Sequence, residues 1–583
     1  MIRFFNTAWP GLAIMALAAC GAARAPPPSP APSSAAPREQ LNRLVEHYWD
    51  EHLLLNPGEL PQGAARRYDG ASGYRISAQF LADSFALERR YLAAVLAVPS
   101  LNLDADSRLT YDLFKRAREL AIESYTYPSE LLPVNPVRSL PLEFAQTGSG
   151  ADSYAISSAR DFERWQARTD DYVRWTTEAI ANMREGLRRG YALPRVLVEK
   201  MLPLLAALGA DTPANVFYQS IGSIPATATD AERKRLTDGI TAGVREKILP
   251  AYVKLHDFLR DEYLARARTS VGLSTLPLGS SWYAFLIKRE TDGTLTPAAI
   301  HSLGVLEVER LRTRLQGLLA DDPHLPAKAP EDLLSFYGEL KGQAAAALPA
   351  LFAETPQAEF AIRRVESFRE TAAPALSYQR AAADGRSAAI LYVNTGAVAA
   401  EPAMASAALY LREAEPGQHF QAAIQQERAD LPRFRRFGGD PALVEGWGVY
   451  AASLGEELGL YRDTESKFAA LLVQLQCAAG LVIDTGLHSL GWTRERAIDY
   501  LHALMPADEA AVREAVDRDI ALPGEALGCF LGERKIQELR ARAEEVLGPR
   551  FDIRAFHAEL LDDGAIPLDI LESKFKRWLD GLK

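Results

Sequence analysis

The side chains best suited to catalysis or metal binding are concentrated in one part of the sequence. His419 and His488, two of only nine histidines, lie there together with Glu413, Glu445 and Asp484. Neutral imidazoles and carboxylates are the usual ligands of zinc, and the same groups act as general acids and bases. Taken by themselves, these residue types indicate hydrolytic chemistry without specifying the substrate.

Proline and glycine interrupt the helical pattern between Glu413 and His419. The interruption consists of Pro416 and Gly417, which are poor helix formers. We expect the helix to kink, or to stop and restart, at this point. A break inside a helical pattern needs a compensating reason, which makes this segment a candidate site.

Glu445 lies at a predicted helix start, between Val444 and Gly446-Trp447, among apolar and aromatic neighbours. We expect its carboxylate to be shielded from water. A shielded carboxylate is usually paired with a cation or bound to a metal, or else its pKa rises.

Asp484 and His488 are four residues apart, which is about one helical turn. The carboxylate of Asp484 is therefore in a position to orient the imidazole of His488. The alternative is purely structural, because a single histidine on an apolar helix is more often a satisfied core residue, and an Asp-His pair a local hydrogen bond. Both interpretations stay open.

The elements that must position these side chains are predominantly helical. Apolar residues recur at helical spacing from about residue 40 onward, for example at Leu41, Val45 and Tyr48. The best strand candidate is the short apolar run at residues 388–394. The sequence therefore predicts a mainly α fold with a small β element before residue 400.

The amino-terminal segment has the features of a bacterial lipoprotein signal. Arg3 precedes a short apolar stretch, which ends in small residues directly before Cys20. We predict a signal peptide at residues 1–19 and a lipid on Cys20, which anchors the protein to a membrane. The alternative is secretion, with cleavage after Ala25.

Residues 20–38 are rich in proline, alanine and serine and predict an unpacked tether. Residues 39–583 form the predicted body, in two lobes that divide near residues 270–300. This body should face an extracytoplasmic compartment, at the periplasmic face or at the outer membrane. Gly21 after the cysteine favours the outer membrane.

The charge of the chain argues against one class of partner. A formal net charge of -11 and a pI near 5.5 disfavour binding to nucleic acids. After Cys20, the remaining cysteines are Cys477 and Cys529, which can either pair or stay as thiols.

Ordered motifs in the second half of the chain resemble one bacterial family. They are Glu445-Gly446-Trp447 with Tyr450, Glu457-Leu458-Gly459-Leu460-Tyr461, Asp484-Thr485-Gly486-Leu487-His488, Pro523-Gly524-Glu525-Ala526-Leu527 and Phe551-Asp552-Ile553-Arg554-Ala555-Phe556-His557. The family is domain of unknown function 885, whose members look like helical zinc metallopeptidases, and the resemblance covers nearly the whole body. It implies a large multi-helix, metallopeptidase-like body with a central cleft.

The central motif of the family reads His-Glu-x-x-Pro-Gly-His-His-x-Gln. Five of its positions are matched here, at Glu413, Pro416, Gly417, His419 and Gln421. The resemblance implies that Glu413 is a general base and that His419 and Glu445 are metal ligands. It also implies that His488 or Tyr450 stabilises an oxyanion.

Two positions depart from the motif. Arg412 stands in place of the leading histidine, and Gln418 in place of the first histidine of the adjacent pair. Arginine offers only hydrogen-bond donors and cannot bind zinc, and the carbonyl of glutamine is a poor zinc ligand. We expect Arg412 to pair with Glu413 or Glu445 and to replace the charge of the metal.

These departures favour a lipoprotein without an ordinary zinc site. Such a protein would use its cleft to bind peptides, cell-wall fragments or a protein partner, and would need no other cofactor. The alternative is an active periplasmic or surface peptidase or amide hydrolase that binds zinc.

Overall fold

The computed structural model describes residues 36–582, apart from residues 57–75, 150–155, 157, 292, 294, 322–331, 366–369, 371–372, 382–387, 397–405 and 506. The predicted signal peptide, Cys20 and the predicted tether up to residue 35 lie outside the described residues.

The described residues form a mainly helical fold, as predicted. The helices of the first half are α1 (Pro37–Leu55), α2 (Ala78–Leu96), α3 (Ala105–Ser124), α4 (Leu140–Gly148), α5 (Ala159–Arg189), α6 (Arg195–Gly209), α7 (Asp230–Gly243), α8 (Leu249–Phe258), α9 (Gly279–Glu290), α10 (Pro297–Asp321) and α11 (Leu333–Ala347). Those of the second half are α12 (Ala407–Glu413), α13 (Gln418–Glu427), α14 (Arg433–Phe437), α15 (Pro441–Ser453), α16 (Thr464–His488), α17 (Arg494–His502), α18 (Glu509–Ala521), α19 (Leu527–Leu547), α20 (Ile553–Leu561) and α21 (Leu568–Leu582).

A small sheet precedes α12 and confirms the predicted β element. It consists of β1 (Phe360–Arg364), β2 (Leu376–Gln379) and β3 (Ala389–Val393), in the order β1-β3-β2. The central strand β3 is the predicted strand, and all its residues are buried. It pairs parallel with β1 and antiparallel with β2, so that β1 and β2 form the two edges of the sheet.

The apolar side chains form two main cores. One is built by residues 134–263, chiefly from α4 to α8. The larger core takes in the sheet and most of the second half of the chain. The helix α16 lies within the larger core, where each residue from Cys477 to His488 is buried.

One helix of the described residues, α16, is long and apolar enough to cross a membrane by length and composition. Its most apolar window is 83% buried inside the fold. The hydropathy of α16 is therefore accounted for by its place in the core.

A disulfide joins α16 to α19. Cys477 and Cys529, which the sequence left free to pair or not, are bonded and lie 52 residues apart in the chain. Disulfides persist mainly in oxidising compartments, so the bond agrees with the predicted export of the chain.

The helix α15, which carries Glu445, packs closely against α19. Gly446 faces Gly532 at this crossing, and a Cβ atom at Gly446 would overlap the backbone of Gly532 and Glu533. Because neither glycine has a side chain, the two backbones can touch, which fixes α15 against the core.

We expect Gly446→Ala to lower the free energy of unfolding by about 3 kcal/mol, because the new methyl group meets backbone that cannot move aside. The matched control is Gly338→Ala in the exposed face of α11, where a Cβ atom meets nothing within 4 Å. That change should instead add about 0.5–1 kcal/mol through helix propensity. Chemical denaturation of both variants measures the difference, and similar stabilities would contradict the close crossing.

Candidate functional site

The predicted break in the helical pattern is confirmed. α12 ends at Glu413 and α13 begins at Gln418, so residues 414–417 form the turn between them. A Cβ atom at Gly417 would overlap the carbonyl oxygens of Leu411 and Arg412, so the turn needs glycine there. The indole of Trp447 donates a hydrogen bond of 2.8 Å to the carbonyl oxygen of Pro416, which holds the turn against α15.

Both residues that depart from the family motif donate to Glu445. Arg412 Nη2 lies 3.2 Å from Glu445 Oε2, and Gln418 Nε2 lies 3.3 Å from Glu445 Oε1. Arg412 Nε is also 3.5 Å from Glu413 Oε1. The guanidinium therefore lies between two carboxylates, and we call Arg412, Glu413, Gln418 and Glu445 the ion-pair cluster.

The ion-pair cluster is buried on one side and open on the other. The side chains of Arg412 and Glu413 are only 18% and 11% exposed, whereas that of Glu445 is 36% exposed. Gly448 provides the space for the arginine, because a Cβ atom there would lie 3.2 Å from Arg412 Cγ. A ligand in solution can thus reach the cluster at Glu445.

Burial and charge set the protonation of this cluster. The pKa of Glu413 is raised to about 7, chiefly by burial; Arg412 and the Tyr378 backbone act to lower it, and Glu445 acts to raise it. Burial alone would lower the pKa of Arg412, but Glu413 and Glu445 raise it above its ordinary value. Arg412 therefore stays charged, while Glu413 is poised to gain or lose a proton near neutral pH.

His419 is buried beside the ion-pair cluster, and both its ring nitrogens have protein partners. Nδ1 lies 3.2 Å from the hydroxyl of Tyr378, and Nε2 lies 3.0 Å from the carbonyl oxygen of Ala358. Burial lowers the pKa of His419 to about 4, so the ring is neutral at pH 7. The proton on Nε2 goes to the carbonyl, and Nδ1 accepts from the tyrosine.

The donor set does not fit the zinc ion that the resemblance implies. A guanidinium occupies the space beside Glu445, and His419 has no free nitrogen. In the part of the chain that the structure describes, no group of three or more His, Cys, Asp or Glu side chains could hold a metal ion.

Tyr450 lies in a separate network on α15. Five residues along a helix correspond to a rotation of about 140°, so Tyr450 and Glu445 leave α15 on different sides. The hydroxyl of Tyr450 lies 2.9 Å from His557 Nε2 and accepts from Arg540 at 3.2 Å. Because His557 Nδ1 bonds the carbonyl oxygen of Leu351 at 2.9 Å, Nε2 accepts the proton of Tyr450.

The network of Tyr450 and His557 is part of the packed core. Burial lowers the pKa of His557 to about 4 and raises that of Tyr450 far above its usual value, so both groups are neutral. The sequence did not indicate His557 as a site residue, although His557 ends the family motif at residues 551–557. His557 lies four residues after the start of the short helix α20, and nothing in the local sequence predicts that its partner is Tyr450 on α15.

The expected pairing of Asp484 with His488 is wrong. Asp484 accepts hydrogen bonds from the hydroxyl of Tyr283 and from the backbone amide of Gly524, the latter at 2.8 Å. His488 Nδ1 accepts from the amide of Leu273 at 3.1 Å, and its Nε2 lies 2.9 Å from the carbonyl oxygen of Asp519. Tertiary partners have replaced the local pair.

These contacts place His488 outside the ion-pair cluster. It lines a separate cavity of about 240 Å³ with Arg268, Trp282 and Glu290. Burial lowers the pKa of His488 to about 4 and raises that of Asp484 to about 7. The structure thus brings together Arg412, Glu413, Gln418 and Glu445 with His419 nearby, and leaves His488 and Tyr450 elsewhere.

The strand β2 is part of the site, although the sequence did not predict it. Its Tyr378 contacts His419 through the hydroxyl and Glu413 through the backbone. Residues 373, 374 and 377 line a groove of about 890 Å³, whose other wall comes from α4, α6 and the segment that follows α6. The start of β2 thus faces the groove, and its end reaches the ion-pair cluster.

Comparisons with known proteins confirm the family to which the chain was predicted to belong. The family described as bacterial protein of unknown function (DUF885) matches residues 63–575. A crystal structure of a protein described as a lipoprotein, from Colwellia psychrerythraea, superposes with a TM-score of 0.86 at 22% identity, covering 94% of this chain and 100% of that one. A second, described as a lipoprotein of unknown function from Shewanella oneidensis, has a TM-score of 0.67 at 16% identity and covers 91% and 99%. These identities show a shared fold, and no curated protein matches the chain significantly.

We expect Arg412→Ala to destabilise the protein by about 3–5 kcal/mol, because it leaves Glu413 without its cation in a buried place. Arg518→Ala is the control, since Arg518 is an exposed arginine that pairs with Glu525. Its loss should cost at most about 1 kcal/mol. Unchanged melting of the Arg412→Ala variant would show that the buried pairs contribute nothing to stability.

Glu413 should contribute to the pH dependence of stability. Because its pKa rises from 4.5 to about 7 on folding, its stabilising protonation is complete below pH 4.5 and is lost as the pH rises through 7. The melting temperature should therefore fall from pH 5 to pH 8, and Glu413→Gln should show a smaller fall. Thermal melts at both pH values test this, with exposed Glu495→Gln as the control. Equal falls in all three proteins would contradict the prediction.

Proposed function

Because this chain belongs to DUF885, a family of bacterial proteins of unknown function, we propose that it is a lipid-anchored extracytoplasmic protein that binds peptides without cleaving them. The observation that carries the proposal is the double donation to Glu445. Arg412 and Gln418, the two replacements of motif histidines, each bond one oxygen of that carboxylate.

In the ion-pair cluster, the charge of Arg412 compensates the charges of the carboxylates. A peptidase of the metallopeptidase type needs a metal to lower the pKa of an attacking water and to polarise the scissile carbonyl. In this chain the carboxylate expected to bind the ion is occupied by a guanidinium and an amide. Arg412 compensates Glu413 and Glu445 electrostatically, so the cleft keeps its shape without an ion.

The proposed location is supported by the amino-terminal sequence pattern and by two further observations. Cys20 comes directly after the small residues that end the predicted lipoprotein signal peptide, and both related structures are described as lipoproteins. The bonded Cys477 and Cys529 suit an oxidising compartment. Together these support a body tethered at the outer side of the cytoplasmic membrane or at the outer membrane.

One observation favours the alternative of an active hydrolase. The pKa of Glu413 is about 7, which is the range in which a general base works best at neutral pH. That alternative needs Arg412 to leave Glu445 and a metal to take its place.

Metal analysis and peptide cleavage separate the two functions. We expect protein purified without chelators to hold well under one zinc per chain and to leave a quenched fluorescent peptide library intact, because no described residues complete a zinc site. The double variant Arg412→His, Gln418→His should gain zinc, since it restores two imidazoles beside Glu445.

The control for this experiment is Arg412→Lys with Gln418→Asn, which keeps a cation and an amide and should stay free of zinc. One zinc per chain in the natural protein, with cleavage that a chelator abolishes, would establish the peptidase.

A further inference from the structure

The outer edge of β2 carries main-chain groups that pair with no other strand. The amide of Asn394 donates to the carbonyl oxygen of Ala375, so the main chain of Ala375 faces β3. Every second residue of a strand faces the same side, so the main-chain groups of Ser377 and Gln379 also face β3. The amides and carbonyls of Leu376 and Tyr378 therefore point away from β3, towards the outer edge of the sheet. Within the described residues, no backbone group pairs with them on that side.

Glu413 already uses part of this edge. The backbone of Tyr378 is close enough to the Glu413 carboxyl to lower its pKa. The amide of Leu376 and the carbonyls of Leu376 and Tyr378 are left on the same edge. Main-chain groups that stay unpaired at the edge of a strand are a template for an extended chain.

The groove provides room for such a chain. Its volume is about 890 Å³, within the range of ligand sites, and Ser377 and Pro374 line it where β2 begins. Its walls are mostly apolar, with Leu142, Leu204 and Leu208 among them. Side chains of an extended ligand would pack here while its backbone follows β2.

Arg380, directly after β2, is a cation without a partner of its own. Among the described residues its guanidinium makes no hydrogen bond or ion pair, and it lies beside Gly439, at the start of α15. The titratable groups near it are Tyr378, whose hydroxyl is neutral, and Glu445, which is already held by Arg412. A half-buried guanidinium with no carboxylate of its own is costly unless a ligand supplies one.

We propose that this cleft binds an extended peptide that adds to the outer edge of β2 and places its terminal carboxylate on Arg380. The amide of Leu376 donates to a peptide carbonyl, and the carbonyls of Leu376 and Tyr378 accept from peptide amides. The carboxylate takes two hydrogen bonds from the guanidinium, the geometry that arginine suits best. This inference rests on the proposed function and specifies its ligand.

The observations favour a peptide over other ligands of the same charge. A phosphate or a single organic acid would use Arg380 but would leave the strand edge and the groove unused. Nucleic acid is disfavoured by the net charge of -11. An uncharged peptide would use the edge and leave the arginine without its partner.

The test uses the whole folded body of the protein and two pools of synthetic hexapeptides. Both pools are N-acetylated and lack Asp and Glu, and they differ only in a free or amidated carboxyl terminus. Equilibrium dialysis with mass spectrometry measures retention. We expect the free-acid pool to be retained at least about tenfold better, the value of one charged hydrogen-bonded pair.

The best-retained peptide then tests the strand edge. Its copy with N-methyl groups at alternate residues cannot pair with β2 and should bind at least about fivefold more weakly.

Arg380→Gln identifies the carboxylate site. This variant should bind free acid and amide equally, and it should melt at the same temperature or higher, because it removes an unpaired buried charge. Arg184→Gln is the matched control, since that arginine is exposed, pairs with Glu262 and is not part of the groove lining, and it should keep the preference for the acid.

Three results would overturn the inference: no retention of the free-acid pool, equal retention of both pools by the natural protein, or an unchanged preference in Arg380→Gln. Cleavage of the retained peptides by a zinc-loaded protein would have a different meaning. It would overturn the non-catalytic function and leave this binding mode standing.

Discussion

The site depends on one buried guanidinium. Arg412 lies between Glu413 and Glu445 at the end of α12, and its charge lets two carboxylates share a largely enclosed space. Around it, the turn at residues 414–417 needs glycine, Trp447 holds that turn, and Gly448 leaves space for the arginine. Each of these features helps to place the guanidinium of Arg412 between the two carboxylates.

Much of the fold could be predicted from the sequence, because the signals involved are local. Helical periodicity, the break at Pro416 and Gly417, and the apolar run of β3 all depend on near neighbours. The expected pairing of Arg412 with a nearby carboxylate follows from the cost of burying an uncompensated charge. The edge strands β1 and β2 were missed because they are short and only partly buried.

The rest of the site was out of reach because it depends on partners far away in the chain. The four-residue spacing of Asp484 and His488 suggested a local pair, but Tyr283 and Gly524 reach Asp484 from elsewhere in the fold. His557 finds Tyr450 across 107 residues. For Arg380 the decisive fact is a missing partner among the described residues, and a sequence cannot show this. Spacing along a helix predicts proximity, and tertiary packing decides which neighbour is bonded.

The apolar character of α16 has a consequence for the predicted export of the chain. A chain exported in the unfolded state would pass through the translocation channel before α19 or α10 covers this helix, which is long and apolar enough to cross a membrane by length and composition. Packing by α10 and α19 therefore has to cover α16 soon after passage, and Asp484, near the carboxyl end of the helix, acquires its partners Tyr283 and Gly524 only in that packed state.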